Sequence, residues 1–241
     1  DLGELLMVNT WNFNDFNRRP WPTSELRSTS GPVLNQGASP GRYRAADSRR
    51  CGQNSACVDN MGRRPEMRRG GYTCHLGFES GASATLVYDA RAFFDVAELH
   101  SWVAEDGGRR SPQANQRVAS NFAALSQNPD HLEVALEAQK EQGRYGAATA
   151  TEESQELWGV LRPPRRDHPP PYFGLTVVSC QHGAIRQSPD GLVVYGQNGL
   201  QEIPVARTMR GGRAAELAEL HRAITEDRPV QHDGRWGGAR R

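Results

Sequence analysis

Between residues 172 and 205, short apolar segments alternate with groups of turn-forming residues. The segments span 172–179, 184–186, 192–195 and 201–205, and the turns are His182-Gly183, Pro189-Asp190-Gly191 and Gln197-Asn198-Gly199. Glycine, proline, asparagine and aspartate supply the backbone conformations of tight turns, and the spacing leaves no room for a helix between the segments. The pattern predicts an antiparallel meander of four strands.

Three more elements follow from the same kind of pattern. Residues 7–13 alternate as a strand does, and residues 72–78 and 82–88 flank Glu79-Ser80-Gly81 as a hairpin would. Near the end, Ala214, Leu217, Leu220, His221 and Ile224 recur at helical spacing, and this helix ends before Pro229. The sequence therefore predicts an α+β domain with one mostly antiparallel open sheet and a few helices packed on one face.

Two long segments lack such patterns. From about residue 37 to 69, glycine and arginine dominate, and neither a helix nor a strand is predicted. Residues 106–167 are predicted to be a polar excursion from the sheet, with one amphipathic helix at His131 to Gln142. We expect a single domain over residues 1–241.

Composition limits the partners and the compartment. The net charge of +1 provides no overall field that would attract nucleic acid, so no nucleic-acid partner is expected. No run of about 18 apolar residues exists that could span a membrane, and the chain does not open on an apolar signal segment. The four cysteines lack the spacing of a zinc site, so reduced thiols and a cytoplasmic location are expected. Because the chain opens directly on a strand, we also expect it to be a fragment of a longer protein.

Several motifs suggest a catalytic or a binding function, but the residues around each of them argue against that function. Gly37-Ala38-Ser39-Pro40-Gly41 matches the nucleophile elbow of serine hydrolases, yet Pro40 has no N–H to donate to an oxyanion. No glycine-rich phosphate loop of the G-x-G-x-x-G type is present, so no residue of this chain is expected to bind a nucleotide cofactor. His100 and the pair His232-Asp233 are interpreted as surface or capping groups rather than catalytic groups or metal ligands.

The segments with clear patterns resemble one family. The resemblance is carried by residues 3–16, 33–37, 81–88 and 219–237, the last of which includes His232-Asp233-Gly234-Arg235-Trp236 after the closing helix. These stretches are similar to the Gfo/Idh/MocA oxidoreductases, and within them to the branch that contains dihydroxyphthalate and dihydrodiol dehydrogenases. The resemblance implies the C-terminal domain of such an enzyme, without the N-terminal Rossmann domain that holds NAD or NADP. It also implies a small-molecule substrate with a cyclic or sugar-like hydroxyl, and a flat sheet through which the protein forms a homo-oligomer.

The family's catalytic pattern, [DN]-x-G-x-H-x-x-D, is interrupted in this chain. Asn35 and Gly37 match it, but Ser39 stands at the histidine position and Arg42 at the aspartate position. A serine hydroxyl does not replace imidazole as an acid or base near neutral pH, so no intact catalytic residue is predicted. Codons exist for residues 39–46 that, read one base later, encode His-Gln-Val-Asp-Ile-Val-Arg-Leu. We therefore hypothesise that residues 39–63 are out of frame.

The sequence thus predicts the substrate-side domain of an NAD(P)-dependent oxidoreductase, inactive as this chain alone. Trp11, Asn12, Arg19 and Asn35 are the candidates for substrate contacts, and no metal site is expected. The alternative is a non-catalytic sheet module that dimerises with itself or with an intact homologue.

Overall fold

One sheet of eight strands organises the chain. Its strands are β1 (Leu5–Phe13), β2 (Ala56–Asn60), β3 (Gly71–Gly77), β4 (Ser83–Asp89), β5 (Leu175–Cys180), β6 (Gly183–Ser188), β7 (Gly191–Gly196) and β8 (Gly199–Pro204). Across the sheet they lie in the order β2-β3-β4-β1-β5-β6-β7-β8. The computed structural model describes residues 1–20, 22–25, 27, 56–60, 70–105, 107, 109–145, 172–205 and 213–230.

The strand pairing confirms the predicted fold class. β3 and β4 form the expected antiparallel hairpin, and β5 to β8 form the expected meander. β1 joins the two groups, antiparallel to β5 and parallel to β4. The parallel pair was not predicted, because alternation along a strand does not show which neighbour it takes.

β2 corrects the prediction that residues 37–69 contain no strand. Its five residues pair antiparallel with β3, from Ala56 opposite His75 to Asn60 opposite Gly71. β2 lies at the edge of the sheet, where backbone hydrogen bonds to one neighbour hold a strand that has no apolar alternation. Residues 39–55 and 61–63 of the hypothesised out-of-frame segment lie outside the described residues, so that hypothesis stays a prediction.

The expectation of reduced thiols is wrong at one position. Cys74, which is buried on β3, is disulfide-bonded, whereas Cys180 is free. Spacing along the chain does not show which cysteines a sheet brings together, so this bond was not predictable from the sequence. The cytoplasmic location stays a prediction.

Three α-helices accompany the sheet: α1 (Ala114–Leu125), α2 (Leu132–Tyr145) and α3 (Arg213–Thr225). α2 confirms the helix predicted from His131 to Gln142, whereas α1 was missed inside the supposed polar excursion. The buried residues of α1 are Ala114, Asn115 and Val118, so it has little of the apolar stripe that signals a helix. Asn121 and Gln139 join α1 to α2 by two reciprocal amide hydrogen bonds of 3.0 Å.

α3 confirms the predicted closing helix but not its packing. Leu217, Leu220 and Ile224 of its apolar stripe are largely exposed, and Ala223 is buried instead. The part of the chain that the structure describes therefore leaves this stripe uncovered. Helical spacing shows that a stripe exists, but it does not show what the stripe faces.

The main core lies on one face of the sheet. Its buried residues are Tyr72, Cys74, Leu76, Ala84, Leu86, Tyr88 and Ala90. Tyr72 and Tyr88 are directly opposite in register, and their rings stack with centroids 5.6 Å apart. A second cluster of Val96, Val103 and Tyr172 packs against Phe13 and Leu175 at the end of β1. The end of β1 is thus fixed by apolar contacts as well as by strand pairing.

Two exclusions apply to the described part of the chain. No helix within it is long and apolar enough to cross a membrane. It also contains no group of three or more histidine, cysteine, aspartate or glutamate side chains that could hold a metal ion. The absence of a Rossmann domain and the limits of the predicted domain stay predictions.

Candidate functional site

Two of the candidate substrate residues meet at a polar cavity beyond the end of β1. Asn12 and Arg19 both line it, and its volume is about 20 Å³. The other lining residues come from the turn after β1, from the start of the 3₁₀ helix Val96–His100 and the residues on either side of that helix, and from the segment before β5. They are Asn14, Asp95, Val96, Ala97, Ala104, Glu105, Arg110 and Tyr172. Residues far apart in the sequence therefore converge here.

The chain leaves β1 through a short turn that aims these side chains. The Asn14 side chain accepts a hydrogen bond from the Phe16 N–H at 3.0 Å, which starts the 3₁₀ helix Phe16–Arg18. Asn14 also donates from Nδ2 to Asn12 Oδ1 at 3.1 Å. The backbone N–H of Asn17 donates to the carbonyl of Ala90 at 2.8 Å, so the turn is tied to the residues after β4.

A buried ion-pair network forms one wall of the cavity. Asp15, which has no exposed surface, accepts from Arg19 Nε at 2.6 Å and from Arg110 Nη2 at 2.9 Å. Arg19 also binds Glu105 at 2.9 Å, and Arg110 also binds Asp95. Three carboxylates therefore share two guanidinium groups, and both arginines are engaged by protein carboxylates.

The network fixes the charge of its central members. Burial alone would raise the pKa of Asp15, but Arg19 and Arg110 outweigh burial and hold the pKa of that carboxyl well below its usual range. Burial disfavours the charged form of Arg19, but Asp15 and Glu105 together raise the pKa of its guanidinium. Both residues are therefore ionised near neutral pH, and neither acts there as a general acid or base.

Two polar groups that border the cavity are buried without a hydrogen-bond partner. They are Nδ2 of Asn12 and the hydroxyl of Tyr172. A volume of about 20 Å³ is roughly that of a single water molecule. It does not accommodate a cyclic substrate, so substrate contact by Asn12 and Arg19 requires the cavity to open, and their predicted role stays a prediction.

The remaining predicted site residues lie elsewhere. Trp11 alternates with Asn12 along β1 and points to the other face of the sheet, where it is 43% exposed. Asn35, Ser39 and Arg42 lie outside the described residues. The structure therefore brings together two of the four candidate substrate residues.

Sequence reasoning missed the acidic members of the site. Asp15, Asp95 and Glu105, together with Arg110, carried no motif, and Asp15 is separated from Arg110 by 95 positions. The only local signal is the spacing of four residues between Asp15 and Arg19, which pairs opposite charges within one turn.

His100 corrects the interpretation of this histidine as a surface or capping group. It is buried, and its ring stacks on Tyr172 with centroids 3.7 Å apart and planes 4° from parallel. Burial, and secondarily the charge of Arg186, lower the pKa of His100 from 6.5 to about 4. The imidazole is therefore neutral at pH 7 and forms part of the packing behind the cavity.

The buried neutral His100 should make the protein sensitive to mild acid. Between pH 6.5 and about 4, the unfolded chain binds a proton at this position that the folded chain does not. The free energy of unfolding should then fall with decreasing pH by up to about 1.4 kcal/mol per pH unit. Urea unfolding at pH 7 and at pH 5 measures this slope. His100→Phe keeps the ring stack and should remove the contribution of His100 to the pH dependence, whereas His131→Gln at an exposed position should not. Equal slopes in all three proteins would refute the assignment of the acid sensitivity to His100.

Comparison with known proteins shows that the chain is similar to oxidoreductases. No family model matches the chain. The 1-carboxy-3-chloro-3,4-dihydroxycyclohexa-1,5-diene dehydrogenase of Comamonas testosteroni is 25% identical over 97% of this chain and 56% of its own length. The crystal structure of a protein assigned as a dehydrogenase from Bordetella bronchiseptica RB50 aligns with a TM-score of 0.66 and 27% identity, over 99% of this chain and 58% of that one. The biliverdin reductase of Synechocystis sp. PCC 6803, solved with biliverdin and NADP⁺, shares the fold with a TM-score of 0.50 and 11% identity, over 99% of this chain and 51% of that one.

These likenesses confirm the resemblance carried by the sequence. The chain is similar to oxidoreductases of the Gfo/Idh/MocA kind, and it resembles the C-terminal domain of such enzymes. Within that class its sequence is similar to a dihydrodiol-type dehydrogenase. The chain spans a little more than half the length of each of these three proteins.

Proposed function

We propose that this chain is the substrate-side domain of an NAD(P)-dependent dehydrogenase that acts on a cyclic or sugar-like hydroxyl compound. The observation that carries the proposal is the similarity to the Comamonas dehydrogenase, which extends over 97% of this chain. That enzyme's name specifies a carboxylated cyclic diol, so we take this chemical class as the substrate. Hydride transfer to a nicotinamide would convert one hydroxyl of the diol to a carbonyl, with loss of a proton.

The nucleotide itself does not fit the residues present. The 241 residues contain no glycine-rich phosphate loop, and the polar cavity of about 20 Å³ next to Arg19 is far smaller than a nucleotide. We therefore assign to this chain no step of the reaction that involves the cofactor. Its proposed contribution is to shape the substrate side of the active site, with the end of β1 held in place by the Asp15 network.

A second candidate function, a sheet module that self-associates, is favoured by one row of side chains. Across five strands, Met7, Ser179, Ala184, Tyr195 and Leu200 are register partners on the same face. Of these, Met7 is 41% exposed, Tyr195 38% and Leu200 61%. An exposed apolar row of this kind is typical of an interface, and a homo-oligomer through the sheet is compatible with the dehydrogenase proposal as well.

Ligand-observed NMR on the 241-residue chain separates the two functions. We expect saturation transfer to a carboxylated cyclohexadiene diol but none to NADH or NADPH, and no formation of reduced nicotinamide from NAD⁺ or NADP⁺ with that diol. Sedimentation of the same sample measures self-association. Self-association without diol binding would favour the sheet module, and turnover by the chain alone would refute a purely substrate-side role.

A further inference from the structure

The disulfide of Cys74 links β3 to an earlier part of the chain. Cys74 is disulfide-bonded, whereas Cys180 is free. The sequence contains two further cysteines, Cys51 and Cys57, so one of these two is left as the partner of Cys74. They lie close together in the sequence, so the choice between them has to come from the pairing of the strands.

Strand pairing favours Cys57. In the antiparallel pair of β2 and β3, Cys57 is directly opposite Cys74, whereas Cys51 precedes the start of β2. Directly opposite residues of an antiparallel pair have Cα atoms about 4.5 or about 5.5 Å apart, depending on whether they are hydrogen-bonded to each other. Both spacings lie within the range of about 4.4–6.8 Å that a disulfide bridges. The register therefore places the backbone of Cys57 within reach of a bond to Cys74.

β2 is the strand that such a bond would hold. It lies at the edge of the sheet, pairs with β3 on one side, and contributes five residues to that pairing. A short strand with one neighbour opens more readily than a central strand, because fewer hydrogen bonds have to break. A covalent link to β3 would therefore decide how firmly β2 is held.

β3 is the strand that β2 protects. Tyr72, Cys74 and Leu76 alternate along β3 and are buried in the main core. With β2 in place, β3 has a neighbour on each side, β2 and β4. If β2 were released, the backbone N–H and C=O groups of β3 on that side would form an open sheet edge, which is a site for pairing with another strand. The attachment of β2 therefore controls the edge next to the main core.

We propose that a disulfide between Cys57 and Cys74 is a redox-sensitive link that holds β2 on the sheet. A thiol reductant transfers two electrons and two protons to the disulfide, which becomes two cysteine thiols, and the reductant is itself oxidised to a disulfide. Because Cys74 is only 8% exposed, the reductant reaches the bond when β2 opens locally. After reduction, backbone hydrogen bonds alone hold β2. The link is independent of the proposed dehydrogenase function, and a cysteine that is read out of frame can form it as well as any other.

Differential alkylation identifies the partner of Cys74. Free thiols of the folded chain, purified without reductant, are blocked with iodoacetamide, and the disulfide is then reduced and labelled with N-ethylmaleimide. Fragment masses distinguish Cys51 from Cys57 within one peptide. We expect N-ethylmaleimide on Cys57 and Cys74, and iodoacetamide on Cys51 and Cys180. N-ethylmaleimide on Cys51 instead of Cys57, or iodoacetamide on Cys74, would overturn the proposal.

Amide hydrogen exchange tests what the link does. A thiol reductant should accelerate exchange of the β2 amides that donate to β3 by about a hundredfold, the factor expected when a disulfide that closes a short loop is lost. Amides of β7, which lies among the last four strands of the sheet, serve as the internal reference and should not change. Cys57→Ser should show the fast exchange without reductant, whereas Cys51→Ser and Cys180→Ser should respond to reductant as the parent chain does. If reductant leaves β2 unchanged, or accelerates β2 and β7 equally, the link does not specifically hold β2 and the proposal is wrong.

Discussion

Replacing Asp15 with Asn should lower the free energy of unfolding by about 3–5 kcal/mol, because the change leaves two buried guanidinium groups without their shared carboxylate. Arg19 and Arg110 both donate to Asp15, at 2.6 and 2.9 Å. An asparagine can accept at Oδ1, but its NH₂ group would face an N–H donor of the other arginine. For a domain of this size the melting temperature should fall by about 6–20 °C, as measured by circular dichroism.

Matched variants separate the network from a general effect of the substitution. Asp130→Asn makes the same chemical change at an exposed position and should alter the free energy of unfolding by no more than about 0.5 kcal/mol. Arg110→Met, alone and combined with Asp15→Asn, completes a double-mutant cycle. The two changes together should cost less than the sum of the single changes, because both single changes lose the same Asp15–Arg110 ion pair. If Asp15→Asn is no more destabilising than Asp130→Asn, the network does not hold the end of β1.

The strands were predictable because their signals are local. Turn residues such as Gly183, Gly191 and Gly199 mark where one strand ends and the next begins, and the hairpin of β3 and β4 carries the same kind of signal. β2 escaped prediction because an edge strand is held by backbone hydrogen bonds, and α1 escaped because its buried residues are small or polar. What a local pattern cannot show is the partner of an element, as the parallel pairing of β1 with β4 and the exposed stripe of α3 demonstrate.

The candidate site was predictable only in part. Asn12 lies in a stretch that carries the family resemblance and Arg19 lies three residues beyond it; both were named as candidate substrate contacts, and both line one cavity. Asp95 and Arg110 could not be found, because their role depends on a contact with Asp15 that only the folded chain creates. His100 was misjudged for a related reason: its context in the sequence is polar, but Tyr172, its stacking partner, lies 72 positions away.

The largest functional effect should come from restoring the reading frame of residues 39–63. The experiment fuses this chain to the part of the Comamonas dehydrogenase that it does not match, so that a complete enzyme length results. Both versions use, for residues 39–46, the codons that encode the present sequence in one frame and His-Gln-Val-Asp-Ile-Val-Arg-Leu one base later. One version is read as it stands, and in the other one base is removed at codon 39 and one is added after codon 63. The second version places histidine at position 39 and aspartate at position 42, the residues of the family's pattern that Ser39 and Arg42 interrupt.

The frame-restored fusion should oxidise the proposed carboxylated cyclic diol faster than the unaltered fusion, on the order of 10²–10⁴-fold, the usual contribution of a positioned acid–base group. Formation of reduced nicotinamide measures the rate. A third fusion with the restored frame but asparagine in place of that histidine controls for the gain in folding, because it regains the helix without the imidazole. If this control is as active as the restored fusion, the histidine is not the missing group. If the unaltered fusion is already as active as the restored one, residues 39–63 are functional as they stand, and the out-of-frame hypothesis is wrong.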